Sequence, residues 1–341
     1  MSINHTVADS VKFGGIIRED VMDKIWDISN IPLPFTDAIG KSTHKNRRFE
    51  WVTDELRAPV INNAVIEGAD ITQDDTKLGA RLSNMTQIAT KGVKTTHTLE
   101  AVNSIGNMAT LAYQIKERQK ELRRDVEAQM LSNQASVVGN SDTVAGVSAG
   151  LGAQLKSNVS LGATGEAGGF DEDTGLFVAT VPGTARALTE TILRNVLQDV
   201  YVAGGNTGFL MARPAVIRNI STYLLTADAK VATMQTNKPQ GATGAMTAYG
   251  SVNVFITDFG QTIELRDNRL QPATDTDVST VYLLDPAYIK QSFLRGYQVE
   301  PLAKTGLSEK RMMSVEYSLA VTNEKSQGAI FAVDETAAMT E

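Results

Sequence analysis

Apolar residues recur every three or four positions along residues 98–134, and this spacing predicts one very long amphipathic helix. The apolar positions are Val102, Ile105, Met108, Ala112, Ile115, Leu122, Val126 and Met130. A helix over this range would be about 55 Å long, since each residue adds about 1.5 Å. Its continuous stripe needs an extended surface to cover it, so we expect an elongated molecule built around this helix.

The first forty residues have the pattern of an arm. Residues 17–28 predict a small amphipathic helix that contains Trp26, and Pro32 and Pro34 then favour an extended path. Such a segment buries little apolar surface alone. We therefore expect residues 1–40 to lie on another surface, with Trp26 as a packing anchor.

Two short β-like runs, at residues 48–53 and 91–96, surround a polar stretch and predict a two-stranded ribbon. In the first run Phe49 and Trp51 alternate with Arg48 and Glu50, so one face is aromatic and the other charged. A two-stranded ribbon is marginal in isolation. Because the sequence shows no partner for it within the chain, we expect the aromatic face to contact a neighbouring subunit.

The second half of the chain predicts a small mixed α/β domain. Residues 139–183 are rich in small residues and predict loops around a short helix near 145–158. Helices are predicted at 189–202, ended by Gly204 and Gly205, and at 214–225, with Pro214 in its first turn. Strands are predicted at 209–212, 252–257, 262–266 and 280–284.

The clearest strand pattern lies at residues 313–321, where Met313, Val315 and Tyr317 share one face. A turn at 323–328 and a second run at 329–333 predict that the chain folds back as a long hairpin. The apolar face of this hairpin and the apolar stripe of the long helix must each be buried against another surface. We expect the helix to pack across the hairpin.

Composition narrows the class of protein. The chain has 341 residues, 42% hydrophobic and 21% charged, which is ordinary for a folded protein. Cysteine is absent, which excludes disulfides and thiolate chemistry and favours a reducing compartment. No apolar stretch is long enough for a membrane span and no signal peptide is evident, so no membrane is expected as a partner. The net charge of −7 disfavours a dedicated nucleic-acid binder.

Motifs for chemistry are weak. Residues 146–150 match the Gly-x-Ser-x-Gly nucleophile elbow and make Ser148 a remote candidate for a serine hydrolase, but no strand precedes it and all three histidines come earlier in the chain. A flexible small-residue segment is the favoured interpretation. The glycine-rich run at 162–169 lacks the ending of a phosphate loop, and residues 171–173 lack calcium-loop spacing. We expect surface loops there, no enzyme activity, and neither cofactor nor metal.

Two basic groups remain open to alternatives. The first comprises Lys41, Lys45, Arg47 and Arg48, which could contact phosphates or carboxylates of a neighbouring subunit. Its alternation with aromatic residues favours the neighbouring subunit. The basic residues of 116–124 fit a solvated helix face, with nucleic acid or a neighbour as the alternatives.

Several strings in order along the chain resemble tailed-phage major capsid proteins with the HK97-like fold, in particular the SU10-type major head protein family. They are RFEWVTDELRAP at 48–59, RLSNMTQI at 81–88, ELRRDVE at 121–127, AGGN at 203–206, DFG at 258–260, LDP at 284–286, and LAKTGLSEKR at 302–311 followed by VTNEK at 321–325. Each string is short, but together they cover most of residues 45–330.

The resemblance implies an α+β fold with five segments: an N-arm (1–40), an E-loop (41–96), a P-domain with the spine helix (97–183), an A-domain (184–292) and C-terminal P-domain strands (293–341). It implies hexamers and pentamers that close into an icosahedral shell around double-stranded DNA, which the subunits contact without sequence preference. The implied location is the virion, after assembly in the bacterial host cytoplasm. A bacterial encapsulin-like compartment is the alternative within this fold.

The resemblance also implies partners and contacts. Portal protein, scaffolding protein and a possible decoration protein are the expected partners; no long charged helical segment precedes the arm, so we expect the scaffolding protein to be separate. The expected inter-subunit contacts are Trp26, Arg47, Arg48, Phe49, Glu50, Trp51, Lys304, Lys310 and Arg311.

Overall fold

The computed structural model describes residues 32–68, 70, 79–102, 110–140, 142–226, 254–304 and 306–340. The predicted arm helix and Trp26 lie outside the described residues. The chain divides into two units. The smaller contains Lys91–Lys120 and Val299–Met313; the larger contains Pro32–Thr90, Glu121–Gln298 and Ser314–Glu341.

The predicted single helix over residues 98–134 is wrong. Helix α2 spans only His97–Ala101, capped by the Thr96 hydroxyl, and Val102 ends it in an extended conformation (φ −79°, ψ 135°). Helix α3 spans Leu111–Met130, about 30 Å at the usual rise. Residues 103–109 of the predicted helix lie outside the described residues.

A four-stranded sheet has the order β1 (Gly40–Thr43), β12 (Ile289–Pro301), β13 (Ser308–Val321) and β4 (Gln87–Thr96). Its first two strands run parallel and pair Gly40 with Lys290 through Thr43 with Phe293. The buried face of α3 lies against this sheet, as predicted for the strand at 313–321: the Tyr317 hydroxyl donates to Gln129 Oε1 at 3.0 Å. Burial raises the pKa of Tyr317, so its hydroxyl stays protonated as a donor.

A six-stranded sheet has the order β5 (Val159–Ser160), β14 (Gly328–Asp334), β11 (Val278–Leu284), β8 (Phe209–Ala212), β10 (Thr262–Asp267) and β9 (Val254–Ile256). Helices α5 (Glu190–Val202) and α6 (Pro214–Thr226) contribute to its core. Buried members of that core include Leu193, Val196, Leu210, Val216, Leu283 and Ile330. The predicted mixed α/β arrangement is confirmed here. Residues 252 and 253 of the strand predicted at 252–257 lie outside the described part of the chain.

The predicted hairpin of β13 and β14 is wrong, because the two strands belong to different sheets. Strand β14 pairs with β11 antiparallel and with β5 in parallel. It has no solvent face: Ile330 and Val333 join the core beneath α5, while the Phe331 ring meets Tyr282 edge-on at 6.5 Å. Ala332 adopts a left-handed φ of 57°, which breaks the strict alternation that the sequence pattern assumed.

The remaining α-helices and strands of the described chain are a two-stranded ribbon, two short helices and a further pair of strands. Strands β2 (Arg48–Thr53) and β3 (Ala80–Met85) form an antiparallel ribbon that pairs Arg48 with Met85 and Thr53 with Ala80. The predicted ribbon partner at 91–96 is therefore wrong, since it forms part of β4. Helices α1 (Pro34–Ala38) and α4 (Leu151–Gln154) are short, and β6 (Gly169–Asp171) pairs with β7 (Leu176–Val178). Within the described residues, no helix has the length and apolar content to cross a membrane.

Candidate assembly surfaces

The aromatic face of the ribbon is covered by its own chain. The Trp51 ring stacks on Phe177 at 6.2 Å between ring centres, and Phe49 lies 5.5 Å from Trp51. Trp51 also packs against the buried residues Ala149 and Ala153. The expectation that this ribbon lacks a partner within the chain is therefore wrong: residues 149–177 supply the covering surface, which local alternation could not identify.

The basic residues at the base of the ribbon also bind within the chain. Arg47 Nη2 donates to the carbonyl oxygen of Gly139 at 2.8 Å. Arg48 Nη2 donates to the carbonyl oxygen of Gly175 at 2.6 Å, and Arg48 Nε to Ser83 Oγ at 2.9 Å. Both guanidinium groups thus fasten the ribbon to neighbouring loops of the same subunit.

Glu50 lies on the charged face of the ribbon and accepts a hydrogen bond from Arg81 on the opposite strand. Its side chain remains partly exposed. The pair leaves a charged outer face that can meet solvent or another molecule.

His44 joins β1 to the ribbon. Its Nδ1 and Nε2 atoms each lie 2.8 Å from a hydroxyl oxygen, of Ser292 and Thr86 respectively. Burial lowers the pKa of His44 below 6.5, and the nearby Glu316 carboxylate opposes that shift. The imidazole is neutral at pH 7 and positions the start of the ribbon against the four-stranded sheet.

Beyond β2 the chain exposes an apolar loop at residues 54–66 that has no regular secondary structure. Its large apolar side chains are 72–102% exposed: Leu56, Val60, Ile61, Val65 and Ile66. Exposed apolar surface of this extent is typical of interaction sites. Sequence reasoning missed it, although five large apolar residues without a helical or strand period were a usable signal.

The predicted contact residues of the smaller unit lie around the turn between β12 and β13. Lys304 Nζ lies 2.9 Å from Glu309 Oε1, and Arg311 Nη2 lies 3.8 Å from Glu309 Oε2. The Lys304 ammonium, by hydrogen bond and charge, holds the pKa of Glu309 below its usual value. Lys310 is half-buried and its carbonyl oxygen accepts from the Leu302 amide at 3.1 Å.

Ser148 is buried, and its hydroxyl makes structural hydrogen bonds. Its Oγ accepts from Asn84 Nδ2 at 3.2 Å and from the Leu319 amide at 3.3 Å. The nitrogen atoms of His44 are engaged elsewhere, as described above. The expectation of a flexible segment is also wrong, because Ser148 and Ala149 are fully buried; at Gly150 a Cβ atom would lie 2.1 Å from the Ser132 carbonyl oxygen.

Ser148→Ala is expected to lower the free energy of unfolding by about 1–2 kcal/mol, because the Leu319 amide loses its acceptor. Urea unfolding followed by circular dichroism measures this. Ser318→Ala is the matched control: Ser318 is equally buried, but its Oγ has no hydrogen-bond partner within the described residues, so its loss should be neutral. Hydrolysis of a chromogenic ester that disappears in Ser148→Ala would contradict the structural role.

The acidic run at 171–173 forms the turn between β6 and β7. Asp171 accepts from Thr174 Oγ1 at 2.8 Å and from the Asp173 amide at 3.0 Å, and these bonds lower its pKa. In the part of the chain that the structure describes, no three histidine or acidic side chains are grouped to hold a metal ion. The carboxylate of Asp171 thus stabilises a turn.

Comparisons with known proteins agree with this architecture. A family model described as SU10 major capsid protein matches residues 3–334. The major capsid protein of Escherichia phage Phieco32 is 28% identical over 325 residues, which cover 87% of this chain and 89% of that protein.

Two solved structures share the fold. That of Gordonia phage Cozz aligns with a TM-score of 0.53 at 15% identity, covering 96% of each chain. The holo-SrpI encapsulin complex from Synechococcus elongatus PCC 7942 aligns with a TM-score of 0.56 at 11% identity, covering 98% of this chain and 99% of that one. At these identities the likeness is one of fold, so it confirms the α+β, HK97-like architecture and gives no support to an encapsulin function.

The family model covers nearly the whole chain, and its members are structural shell proteins rather than a family of enzymes. This chain belongs to the SU10 major capsid protein family, and its function is that of the major capsid protein of a tailed phage.

Proposed function

We propose that the subunits assemble into hexamers and pentamers in which the loop at 54–66 of one subunit packs on the next. The observation that carries this proposal is the exposure of five large apolar side chains on that loop. Burying one such side chain contributes about 1.5–3 kcal/mol. Five of them supply enough free energy to offset much of the entropy lost when two subunits associate.

The ribbon has a different proposed role from the one its sequence suggested. Arg47, Arg48, Phe49 and Trp51 hold the ribbon against their own subunit, so that the loop projects in a fixed direction. A preorganised loop loses less conformational entropy on binding than a free one. These four residues would then act on assembly indirectly, through the orientation of the loop.

Direct contacts with other subunits are proposed for the remaining predicted residues: Trp26, Glu50, Lys304, Lys310 and Arg311. In the smaller unit, the exposed Leu307 side chain, three residues after Lys304, supports a contact at that turn. Because Lys304 and Arg311 already pair with Glu309, such a contact would rest mainly on apolar surface, with the ion pairs at its rim.

The division of the subunit into segments and its partners in the virion are proposed from its membership of the capsid protein family. We keep the boundaries of the N-arm, E-loop, P-domain and A-domain given above, with one exception. Strand β14 lies between β5 of the P-domain segment and β11 of the A-domain segment in the six-stranded sheet. Portal protein, a separate scaffolding protein and a possible decoration protein are proposed partners. Assembly is proposed to occur in the bacterial host cytoplasm, around or before the packaging of double-stranded DNA.

The triple variant Leu56→Ser, Ile61→Ser and Ile66→Ser tests the loop contact. These side chains are 83–102% exposed, so the variant should unfold within about 0.5 kcal/mol of the wild type. It should nevertheless fail to form shells, as measured by analytical ultracentrifugation and negative-stain electron microscopy.

The control carries Val178→Ser and Val181→Ser, two half-exposed apolar residues outside the loop, and should assemble normally. Shells of normal size and yield from the triple variant would show that the loop is not an assembly contact.

A further inference from the structure

A cavity of about 290 Å³ lies in the larger unit between α1, α3 and β12. Its lining residues are Leu33, Thr36, Asp37, Lys41, Arg123, Gln291, Phe293, Gly296 and Tyr297. A water molecule occupies about 30 Å³, so the space holds a small ion together with several waters. Neither the family assignment nor the assembly contacts proposed above use this cavity.

The first unusual feature of the cavity is Gln291. Its side chain is fully buried, yet neither amide atom has a hydrogen-bond partner among the described residues. The alternation of β12 places Gln291 on the same face as Phe293 and Tyr297, which line the cavity, and the strand register pairs it with Lys41. A buried amide without partners is costly, which favours a polar ligand that satisfies it.

The second feature is a pair of cations. Neither Lys41 nor Arg123 has a carboxylate partner within the described residues. The Arg123 guanidinium lies 5.5 Å from the ring centre of Tyr297, a cation–π contact that holds it at the cavity wall. Burial raises the pKa of Tyr297 to about 12, so its ring bears no negative charge at working pH.

Two acidic groups, Asp37 and Glu127, lie nearby, and neither forms an ion pair with Lys41 or Arg123 within the described residues. Asp37 is the acidic side chain among the lining residues, against two cations. The carboxylate of Glu127 accepts hydrogen bonds from the Phe35 and Thr36 amides and from Asn268 Nδ2, so its oxygen atoms are already engaged. Two cations and an amide donor around one small space suit an anion with several oxygen atoms.

We propose that Lys41, Arg123 and Gln291 form a binding site for a phosphate group. The lysine and arginine side chains neutralise its charge, and the Gln291 side chain, which is buried without the ligand, turns its Nε2 atom into the cavity and donates a hydrogen bond. Free inorganic phosphate and the phosphodiester backbone of DNA share this chemistry. Binding of a DNA phosphate rests on the proposed shell function, whereas binding of inorganic phosphate does not depend on it.

The test uses full-length subunits and their thermal unfolding midpoint in phosphate, acetate or chloride at equal ionic strength. Phosphate should raise the midpoint of the wild type and acetate should not. Arg123→Gln and Gln291→Leu should each weaken phosphate binding roughly tenfold or more, since each removes a donor to a charged ligand. Lys290→Gln, on the exposed opposite face of β12, is the matched control and should bind phosphate like the wild type.

Gln291→Leu gives a second readout. Without phosphate it should be at least as stable as the wild type, because an unsatisfied buried amide is removed. Equal stabilisation by acetate and phosphate would indicate a carboxylate site and overturn the proposal, as would phosphate binding that Arg123→Gln and Gln291→Leu leave unchanged.

A labelled DNA duplex separates the two sources of phosphate. If the backbone uses this site, Arg123→Gln should reduce the slope of log affinity against log salt by about 1, while Lys290→Gln leaves it unchanged. Wild-type shells that form normally but show no phosphate effect would refute this inference and leave the assembly proposal intact.

Discussion

Glu127→Ala is expected to lower the free energy of unfolding by about 3–5 kcal/mol. The Glu127 carboxylate is fully buried and accepts from the Phe35 and Thr36 amides and from Asn268 Nδ2, each at 2.8 Å, and also from the Thr36 hydroxyl. Alanine would leave these donors without an acceptor. Urea unfolding of the subunit measures the loss.

Two variants on the same helix calibrate this result. Glu127→Gln keeps one acceptor oxygen and should fall between alanine and the wild type. Glu117→Ala removes a surface ion pair with Lys120 and should cost less than about 1 kcal/mol. If Glu127→Ala were as stable as Glu117→Ala, the carboxylate would not be what fastens α1 to α3.

Trp51→Ala is expected to cost about 3 kcal/mol of unfolding free energy, at the lower end for a tryptophan truncation because the ring is only partly buried. The loss follows from the stacking on Phe177 and the packing on Ala149 and Ala153. Chemical unfolding monitored by far-ultraviolet circular dichroism provides the measurement, since the variant lacks one of the two tryptophans.

The neighbouring Val52 supplies the control, because it lies on the opposite face of the same strand and is 71% exposed. Val52→Ala should change stability by no more than about 0.5 kcal/mol. An unchanged stability for Trp51→Ala, combined with a block in shell formation, would restore the original hypothesis that Trp51 contacts another subunit.

Sequence patterns correctly predicted helix ends that are determined by contacts between residues close together in the sequence. Helix α5 begins at the predicted position because Thr189 Oγ1 accepts from the Ile192 amide at 3.1 Å. Its end is likewise predictable, since Gly204 adopts a φ of +86° that disfavours other residues. In both cases the determining atoms lie within a few residues of one another in the sequence.

Partners distant in sequence could not be predicted this way. Strand β3 has no apolar alternation, because its buried positions include Ser83 and Asn84. Asn84 Nδ2 donates to the Leu319 carbonyl at 2.7 Å, a contact across 235 positions. The same limit applies to the candidate contact residues. The alternation in β2 indicated that the Trp51 ring packs against another surface. A pattern within one strand does not specify whether that surface belongs to the same chain or to another.

The placement of β13 and β14 also sets the time at which the subunit becomes complete. Strand β13 lies between β12 and β4, and β14 lies between β5 and β11, so each sheet lacks an interior strand until residues 308–334 have been made. Translation proceeds at about 5–20 residues per second, so β13 is synthesised on the order of ten to forty seconds after its neighbour β4. A nascent chain therefore carries two incomplete sheets. A subunit can join a shell only after its last two strands have been synthesised.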